Sequence, residues 1–405
     1  MSTATPADWQ TRPTPETAQD WITRATEVAA VLATDAAERD RAGATPYNEV
    51  RLLKDAGLVT LLGPTQHGGG GQDWPTAYRV VREIAKADGS IGQLLGYHYL
   101  WNWAARLVGT REQWEHVEAE AARGQWFFGG AVNPRDKDVV VTEDGDDLVF
   151  TGRKSFSTGS KVSDVTVLEG VLEGTDQHVF AIVPSDSAGL AFHDDWDNIG
   201  QRLTESGGVT LDGVRTPWAS AAGYVDKEFR PRIYNTLNVP TIQLVFVSFY
   251  LGIAGGALET AATYTRTKAR SWLHGGHERA VDEPYVIDVY GDLTAKLWAV
   301  EALADTVAAE GQKLHDDPDA VTEQARGDFE VRVAAVKARA TDVALEISNR
   351  IFEVTGARST ATAEGLDRFW RNVRTHTLHD PVAYKRREVG RWFLEGELPE
   401  PTWYS

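Results

Sequence analysis

The chain has 405 residues, a formal net charge of −18, no cysteine, one methionine and 14 tryptophans. The absence of cysteine excludes disulfides, thiolate nucleophiles, Cys-ligated zinc and iron–sulfur clusters, and it fits a reducing, cytoplasmic compartment. With 41 basic residues against 59 acidic ones, the chain lacks the cation excess that nucleic acid requires of a partner.

The N-terminus, Met1 to Thr14, is polar, with neither the apolar core nor the basic leader of a signal peptide. Pro15 to Arg41 then reads as one long Ala-rich helix, with Trp21, Ile22, Ala25, Val28, Ala29 and Leu32 at helical spacing. A turn at Gly43 to Thr45 leads to a second helix ending near Gly57, and Gly63 to Gly71 is a loop by composition. Helical patterning resumes over Asp73–Ala87, Gly92–Val108 and Glu112–Arg123.

From Trp126 to about Val225 the character changes. Asp138–Thr142 and Leu148–Thr151 flank Asp144-Gly-Asp-Asp147 as a hairpin, and Val165–Leu168, Val179–Val183 and Val209–Leu211 are further strands. Short strands without intervening helices predict a small antiparallel β domain. Helices return afterwards. Ile242 to Arg270 starts apolar on several faces, although its run to Ala254 is shorter than the roughly 20 residues that span a bilayer. Ile287 to Val307 and Phe329 to Ile351 repeat apolar residues every three or four positions, the pattern of a helical bundle. The expected fold is mainly α with a central β domain: helical over residues 1–125, β over 126–228 and a helical bundle over 229–405.

Several chemistries are missing from the sequence. No P-loop, no G-x-G-x-x-G after a strand and no G-x-S-x-G elbow occurs. His274 with His277, and His376 with His379 and Asp380, have spacings compatible with a metal, but solvated or hydrogen-bonded histidines account for them better, and no metal is expected. Four clusters stand out instead: Gly96 to Trp103, with His98 and Asn102 among aromatics; the hydroxyl-rich Gly152 to Ser160; Tyr264 to Trp272, whose cations complement a helix C-terminus; and Gly365 to Pro381, which mixes Arg, His and Asp with Phe369 and Trp370.

The helical–β–helical order, Thr265-Arg-Thr-Lys-Ala-Arg270 and Phe352-Glu-Val-Thr-Gly-Ala-Arg358 resemble the acyl-CoA dehydrogenase fold. Within it, Glu38–Gly43, Asp73–Ala77, Gly96–His98, Asp194–Trp196, Glu283–Tyr285, Arg368–His376 and Leu378–Pro381 are similar to the flavin-dependent monooxygenases. The resemblance implies a two-component enzyme: a separate flavin reductase supplies reduced FMN, which reacts with O2 through a C4a-(hydro)peroxyflavin. The oxygen then goes to an apolar aromatic substrate at sulfur, as in dibenzothiophene to its sulfoxide and sulfone. An aromatic C-hydroxylase, an amine N-hydroxylase and an acyl-CoA dehydrogenase, with Asp380 as base, are the alternatives.

The resemblance also implies site residues. His98 and His379 stand for two catalytic histidines at the reactive edge of the flavin. Asn102, Gly130, Ala131, Val132, Asn133, Lys154, Ser155, Phe156, Ser157, Thr158 and Trp196 stand for flavin contacts, and Arg270, Ala357 and Arg358 for phosphate contacts. Arg270 would act across a subunit contact in a homotetramer. The chain departs from the family at Gly130, where the family carries Asn, and in the following lid, which here reads Ala131-Val-Asn-Pro-Arg-Asp-Lys-Asp138.

Overall fold

A computed structural model describes residue 9, residues 11–133 and residues 137–401. Residues 1–8 and 10 of the polar N-terminus, and 134–136 of the expected lid, lie outside the described residues.

The first layer is helical. Helix α1 (Ala18–Leu32) starts with a capping box between Thr17 and Asp20 and buries the predicted stripe from Trp21 to Leu32. The single helix expected to reach Arg41 is broken. The Thr34 hydroxyl donates back to the Val31 carbonyl at 2.7 Å, taking an acceptor the helix ladder would use, and α2 (Ala36–Ala42) begins anew. Helices α3 (Tyr47–Asp55), α4 (Trp74–Ala87), α5 (Gly89–Val108) and α6 (Arg111–Gly124) follow. Asp73 caps α4 through the Thr76 amide, and Asp88 caps α5 through the Ser90 and Ile91 amides.

The middle layer is a seven-stranded sheet of β1 (Phe128–Ala131), β2 (Val139–Asp144), β3 (Asp147–Lys154), β4 (Val165–Leu172), β5 (His178–Pro184), β6 (Leu190–Phe192) and β7 (Val209–Pro217). The predicted hairpin is present as β2–β3. The sheet is mixed, not purely antiparallel as expected: β4 pairs parallel with both β1 and β2 and antiparallel with β5. Short β1 and β6 are strands the sequence pattern does not predict: Phe-Gly-Gly-Ala and Leu-Ala-Phe carry too little alternation to read. A small hairpin of β8 (Tyr224–Val225) and β9 (Glu228–Phe229) closes the layer.

The C-terminal layer packs α7 (Asn238–Thr267), α8 (Pro284–Asp316) and α9 (Glu323–Thr355) into a bundle that α10 (Asp367–His376) and α11 (Val382–Glu395) cover. The apolar run of α7 extends into a helix long enough to cross a bilayer, which corrects the shorter reading. Yet 94% of its most apolar stretch is buried inside this fold, as a core helix requires. Helices α4, α5, α7 and α9 share one hydrophobic core, and a second core fills the sheet. Gly92 and Gly96 of α5 let it press against α4 and α7: a Cβ at Gly96 would come within 2.4 Å of Val245.

Candidate active site

Between α5, α7, the sheet and the end of α10 lies a cavity of about 670 Å³, within the range that holds a cofactor or drug-sized ligand. Helix α5 presents Gln93, Tyr97, Trp101, Ala104 and Val108 to it, a stripe at spacings of four and three. Helix α7 adds Ile242, Gln243 and Phe246, and β5 adds Phe180. Val132 and Asn133 follow β1, Phe156 and Thr158 follow β3, and Trp196, Gln201 and Ser206 come from the β6–β7 loop. Arg374, Thr375, His376, His379 and Asp380 close the far side.

The cavity therefore has two characters. Tyr97, Trp101, Phe180, Ile242 and Phe246 make an aromatic and aliphatic wall. Amides, hydroxyls, histidines and Arg374, the one Lys or Arg in its lining among the described residues, share the lining with them. Several of these polar atoms are buried and unpaired: the Gln93 Oε1, both side-chain amide atoms of Gln201, the Gln243 Oε1, the Arg374 Nε and the Thr375 Oγ1. Buried polar groups are paired in most folded proteins, so this concentration marks a place built for a ligand with both donors and acceptors. Two residues on the same rim, Phe156 and Gln201, hold left-handed backbone (φ 61° and 52°), a conformation that costs non-glycine residues energy and clusters at functional sites.

The two C-terminal histidines are placed differently. His376 is buried and held at both nitrogens, by the Tyr250 hydroxyl at Nδ1 (2.8 Å) and the Tyr97 hydroxyl at Nε2 (3.1 Å). His379 stacks on it, pairs through Nδ1 with the Asp380 carboxylate at 3.2 Å, and keeps 41% of its side chain open to the cavity. The protein crowded around the cavity, with the Lys337 ammonium nearby, pushes the pKa of His379 down to about 4.

The expected flavin-contact residues divide in the same way. Val132, Asn133, Phe156, Thr158 and Trp196 line the cavity. The rings of Phe156 and Trp196 meet edge to face, and the Trp196 indole donates to the Gln201 carbonyl at 2.8 Å. Thr158 shares a hydroxyl bond with Ser206 at 2.8 Å. Ser157 is turned away and donates to the Gly207 carbonyl, while Ser155 is exposed. Lys154 does not reach the cavity either: it is buried in an ion pair with Glu169 at 2.8 Å. That pair grips Asn133 from both sides, Lys154 donating to its carbonyl and Glu169 accepting from its amide. Gly130 and Ala131 are buried in β1. A Cβ at Gly130 would lie 2.3 Å from the Trp101 ring, so the indole fills the space a side chain there would need.

His98 and Asn102 do not line the cavity. Each follows a cavity residue (Tyr97, Trp101) by one position, a rotation of about 100° around the helix. His98 is fully buried, with Val59 carbonyl on Nε2 (2.8 Å), the Phe128 amide on Nδ1 (3.0 Å) and Phe127 stacked on its face. Burial pushes its pKa down to about 4. Arg270, Ala357 and Arg358 are exposed and off the cavity. The α5 stripe and Gln201 are functional candidates that sequence reading passed over. The stripe was legible in the spacing of Gln93, Tyr97 and Trp101, whereas Gln201 carries no sequence signal. Among the described residues no three His, Asp or Glu side chains are gathered as metal ligands would be.

Residues 16–125 match the N-terminal domain of acyl-CoA dehydrogenases and residues 244–383 the C-terminal domain. Dibenzothiophene monooxygenase of Rhodococcus erythropolis is 40% identical over the whole of both chains. The structure of methanesulfinate monooxygenase MsuC from Pseudomonas fluorescens superposes with a TM-score of 0.91 at 38% identity, over 95% of this chain and 99% of that one. TdsC from Paenibacillus sp. A11-2, solved with FMN and indole, gives 0.90 at 39% identity over 95% and 100%.

Proposed function

Because the chain belongs to the acyl-CoA dehydrogenase family, in its branch of flavin-dependent monooxygenases, we propose that it oxygenates an apolar aromatic sulfur compound of the dibenzothiophene type to its sulfoxide and then its sulfone. The observation that carries this reading is the mixed lining of the cavity, which sets an aromatic and aliphatic surface beside unpaired amides, a hydroxyl and His379.

The residues present fit a reduced flavin. An isoalloxazine ring has apolar faces and an edge of alternating N–H and C=O groups, which the Trp196 and Phe156 rings, the unpaired Gln93 Oε1 and the unpaired Gln201 amide complement. Reduced FMN, when bound, would supply the two electrons that activate O2, one atom of which goes to the substrate and the other to water. The protein's own work is to bind, orient and keep water out. Asn133, Thr158 and Trp196 would hold the ring, and the aromatic wall would hold the substrate. His379, neutral with its proton on Nδ1 toward Asp380, would offer Nε2 on the open side of the cavity as the nitrogen that takes up a proton and returns it. Arg270 and Arg358, exposed in one chain, would meet the FMN phosphate at a subunit contact of a cytoplasmic homotetramer, with reduced FMN arriving by diffusion from a separate reductase. Lys154 and His98 act one step back, through Asn133 and Phe128.

The acyl-CoA dehydrogenase alternative is disfavoured, because Asp380 is engaged by Lys337 and Gln243. The test is a substrate panel with reduced FMN supplied enzymatically: dibenzothiophene, its sulfoxide, indole, phenols, aromatic amines and an acyl-CoA. Conversion of dibenzothiophene to sulfoxide and sulfone supports the reading. Turnover confined to a phenol, an amine or the acyl-CoA overturns it.

A further inference from the structure

Helix α9 buries a lysine for which neither packing nor the expected site residues account. Lys337 is 2% exposed, and its ammonium contacts the Asp380 carboxylate and lies 5.4 Å from the centroid of the Phe246 ring. Asp380 is held a second time by the Gln243 amide, at 3.3 Å. Its other oxygen faces the Nδ1 of His379. Phe246 packs edge-on against both His376 and His379, with centroids 4.6 and 5.0 Å away. Lysine, carboxylate, imidazole and cavity thus form one line, and the aromatic ring braces its middle.

A buried ion pair gives little net stability, because desolvation of both charges offsets their attraction. What such a pair does well is fix geometry, and a carboxylate on one nitrogen of an imidazole fixes its tautomer. We propose that Lys337 is a positioning residue for the oxygenation: by anchoring Asp380 it keeps Nδ1 of His379 as the protonated nitrogen and Nε2 turned to the cavity. This rests on the reading that His379 faces the reacting flavin.

The same arrangement has an electrostatic consequence. Lys337 faces Asp380, His376 and His379 on one side, and Lys385, Glu388 and its own helix's Glu330 on the other. Lys385 is itself paired with Glu330 and Glu388, both at 3.0 Å. The carboxylate that would welcome an imidazolium at His379 is therefore shared with a cation, and the Lys337 charge opposes protonation of both histidines. A lysine that only filled space would not do this.

The test measures product formed per H2O2 released across pH 4 to 7, where Lys337, its pKa lowered to about 7 by burial and by the Lys385 charge, carries its proton, with reduced FMN supplied by a separate reductase, in wild type, Lys337→Met, Lys337→Arg, Asp380→Asn and His379→Ala; in the flavin-free protein at pH 7 the 15N shifts of His379 should report a proton on Nδ1 in wild type and a mixed tautomer in Lys337→Met. Lys337→Met is expected to lower the ratio about tenfold, with substrate KM within about twofold. It is also expected to move the acid-side fall of the ratio about one pH unit upward, since an opposing cation is gone. Lys337→Arg restores the position of that limb. Folded Lys337→Met with the wild-type ratio and limb overturns the proposal. Where Lys337→Met fails to fold, Asp380→Asn decides: a ratio as low as that of His379→Ala supports the proposal, and a wild-type ratio overturns it. A wild-type ratio in His379→Ala is a separate result, which overturns the reading of His379 itself.

Discussion

The imidazoles of His376 and His379 stack nearly parallel, 5.4 Å apart and 8° from coplanar orientation, yet only one of them has a nitrogen to spare. Tyr97 and Tyr250 occupy both nitrogens of His376; Asp380 takes one of His379 and leaves the other at the cavity. Stacked rings three residues apart thus divide the work, His376 as a fixed platform and His379 as the group that can exchange a proton with a ligand.

His379→Ala should therefore leave the fold intact, with Tm within a few degrees of wild type, while oxygenation becomes uncoupled. Product per O2 is expected to fall by about 10²-fold or more, as removal of a general acid or base does, with H2O2 making up the difference. His376→Phe should behave in the opposite order. Leaving two buried tyrosine hydroxyls without a partner costs about 1–3 kcal/mol each at most, a loss that urea unfolding reads before any change in product ratio. An unchanged product yield in His379→Ala would remove that residue from the chemistry.

Gly130 and Trp101 form a second pair. A methyl group at position 130 meets the Trp101 ring at 2.3 Å, and overpacking of this kind costs about 1–3 kcal/mol. Gly130→Ala is expected to lose that stability and to weaken reduced-FMN affinity, since Trp101 must swing into the cavity it lines. Trp101→Phe in the same chain should recover most of both, a non-additive cycle that calorimetry and flavin titration measure. Additive losses would show that the two positions do not compete for one space.

How far the sequence carried this reading is clear from particular residues. The three layers were legible because apolar periodicity switches from helical to alternating and back, and cap residues such as Thr17, Asp73 and Asp88 mark where helices begin. Trp196, Thr158 and His379 were placed at the site by resemblance, and they do line the cavity. The same resemblance implies His98, but one residue of helical phase turns it into the interior. The resemblance implies Lys154 as a flavin contact, and a sequence does not show that Glu169, fifteen positions on, meets it across the sheet. Gln201 and Lys337 owe their roles to tertiary placement alone.

The Lys154–Glu169 pair sets a further expectation. Removing one partner of a buried ion pair costs about 3–5 kcal/mol, and here each partner also holds one backbone group of Asn133, Lys154 its carbonyl and Glu169 its amide. Lys154→Met should lie at the lower end, because His178 still donates to Glu169 at 2.6 Å. It should also loosen the Asn133 rim, raising KM for reduced FMN. Lys154→Met with Glu169→Leu should be more stable than the single variant. Burial pushes the Glu169 carboxyl up, but His178 and Lys154 outweigh it and hold its pKa below the ordinary value. Its contribution is then present above pH about 4.5 and lost as pH falls through the native pKa. Urea unfolding across pH 3 to 6 should show that acid-side loss in wild type and a much smaller one in the double variant.

The last expectation concerns His98 as a structural clasp. Its nitrogens join the Val59 carbonyl, before the glycine-rich loop, to the Phe128 amide at the start of β1. This links the N-terminal helices to the strand that carries Gly130. Burial keeps the ring neutral in the native state, with a pKa of about 4, against about 6.5 in the unfolded chain. Below pH 6.5 the unfolded chain takes up a proton that the folded one refuses. The stabilisation is therefore complete above pH 6.5 and erodes by up to about 1.4 kcal/mol per pH unit until pH 4, about 3 kcal/mol in all. His98→Gln, whose amide can serve only one of the two backbone groups well, should be less stable than wild type at pH 8 by about 1–3 kcal/mol. The gap should close as pH approaches 4, because glutamine does not titrate. Product per H2O2 in the surviving folded enzyme should stay within about threefold of wild type, far from the loss expected of His379→Ala. A stability gap that stays constant from pH 8 to 4 would show that His98 titrates alike in both states, and a collapse of the product ratio at pH 8 would return it to the reacting edge.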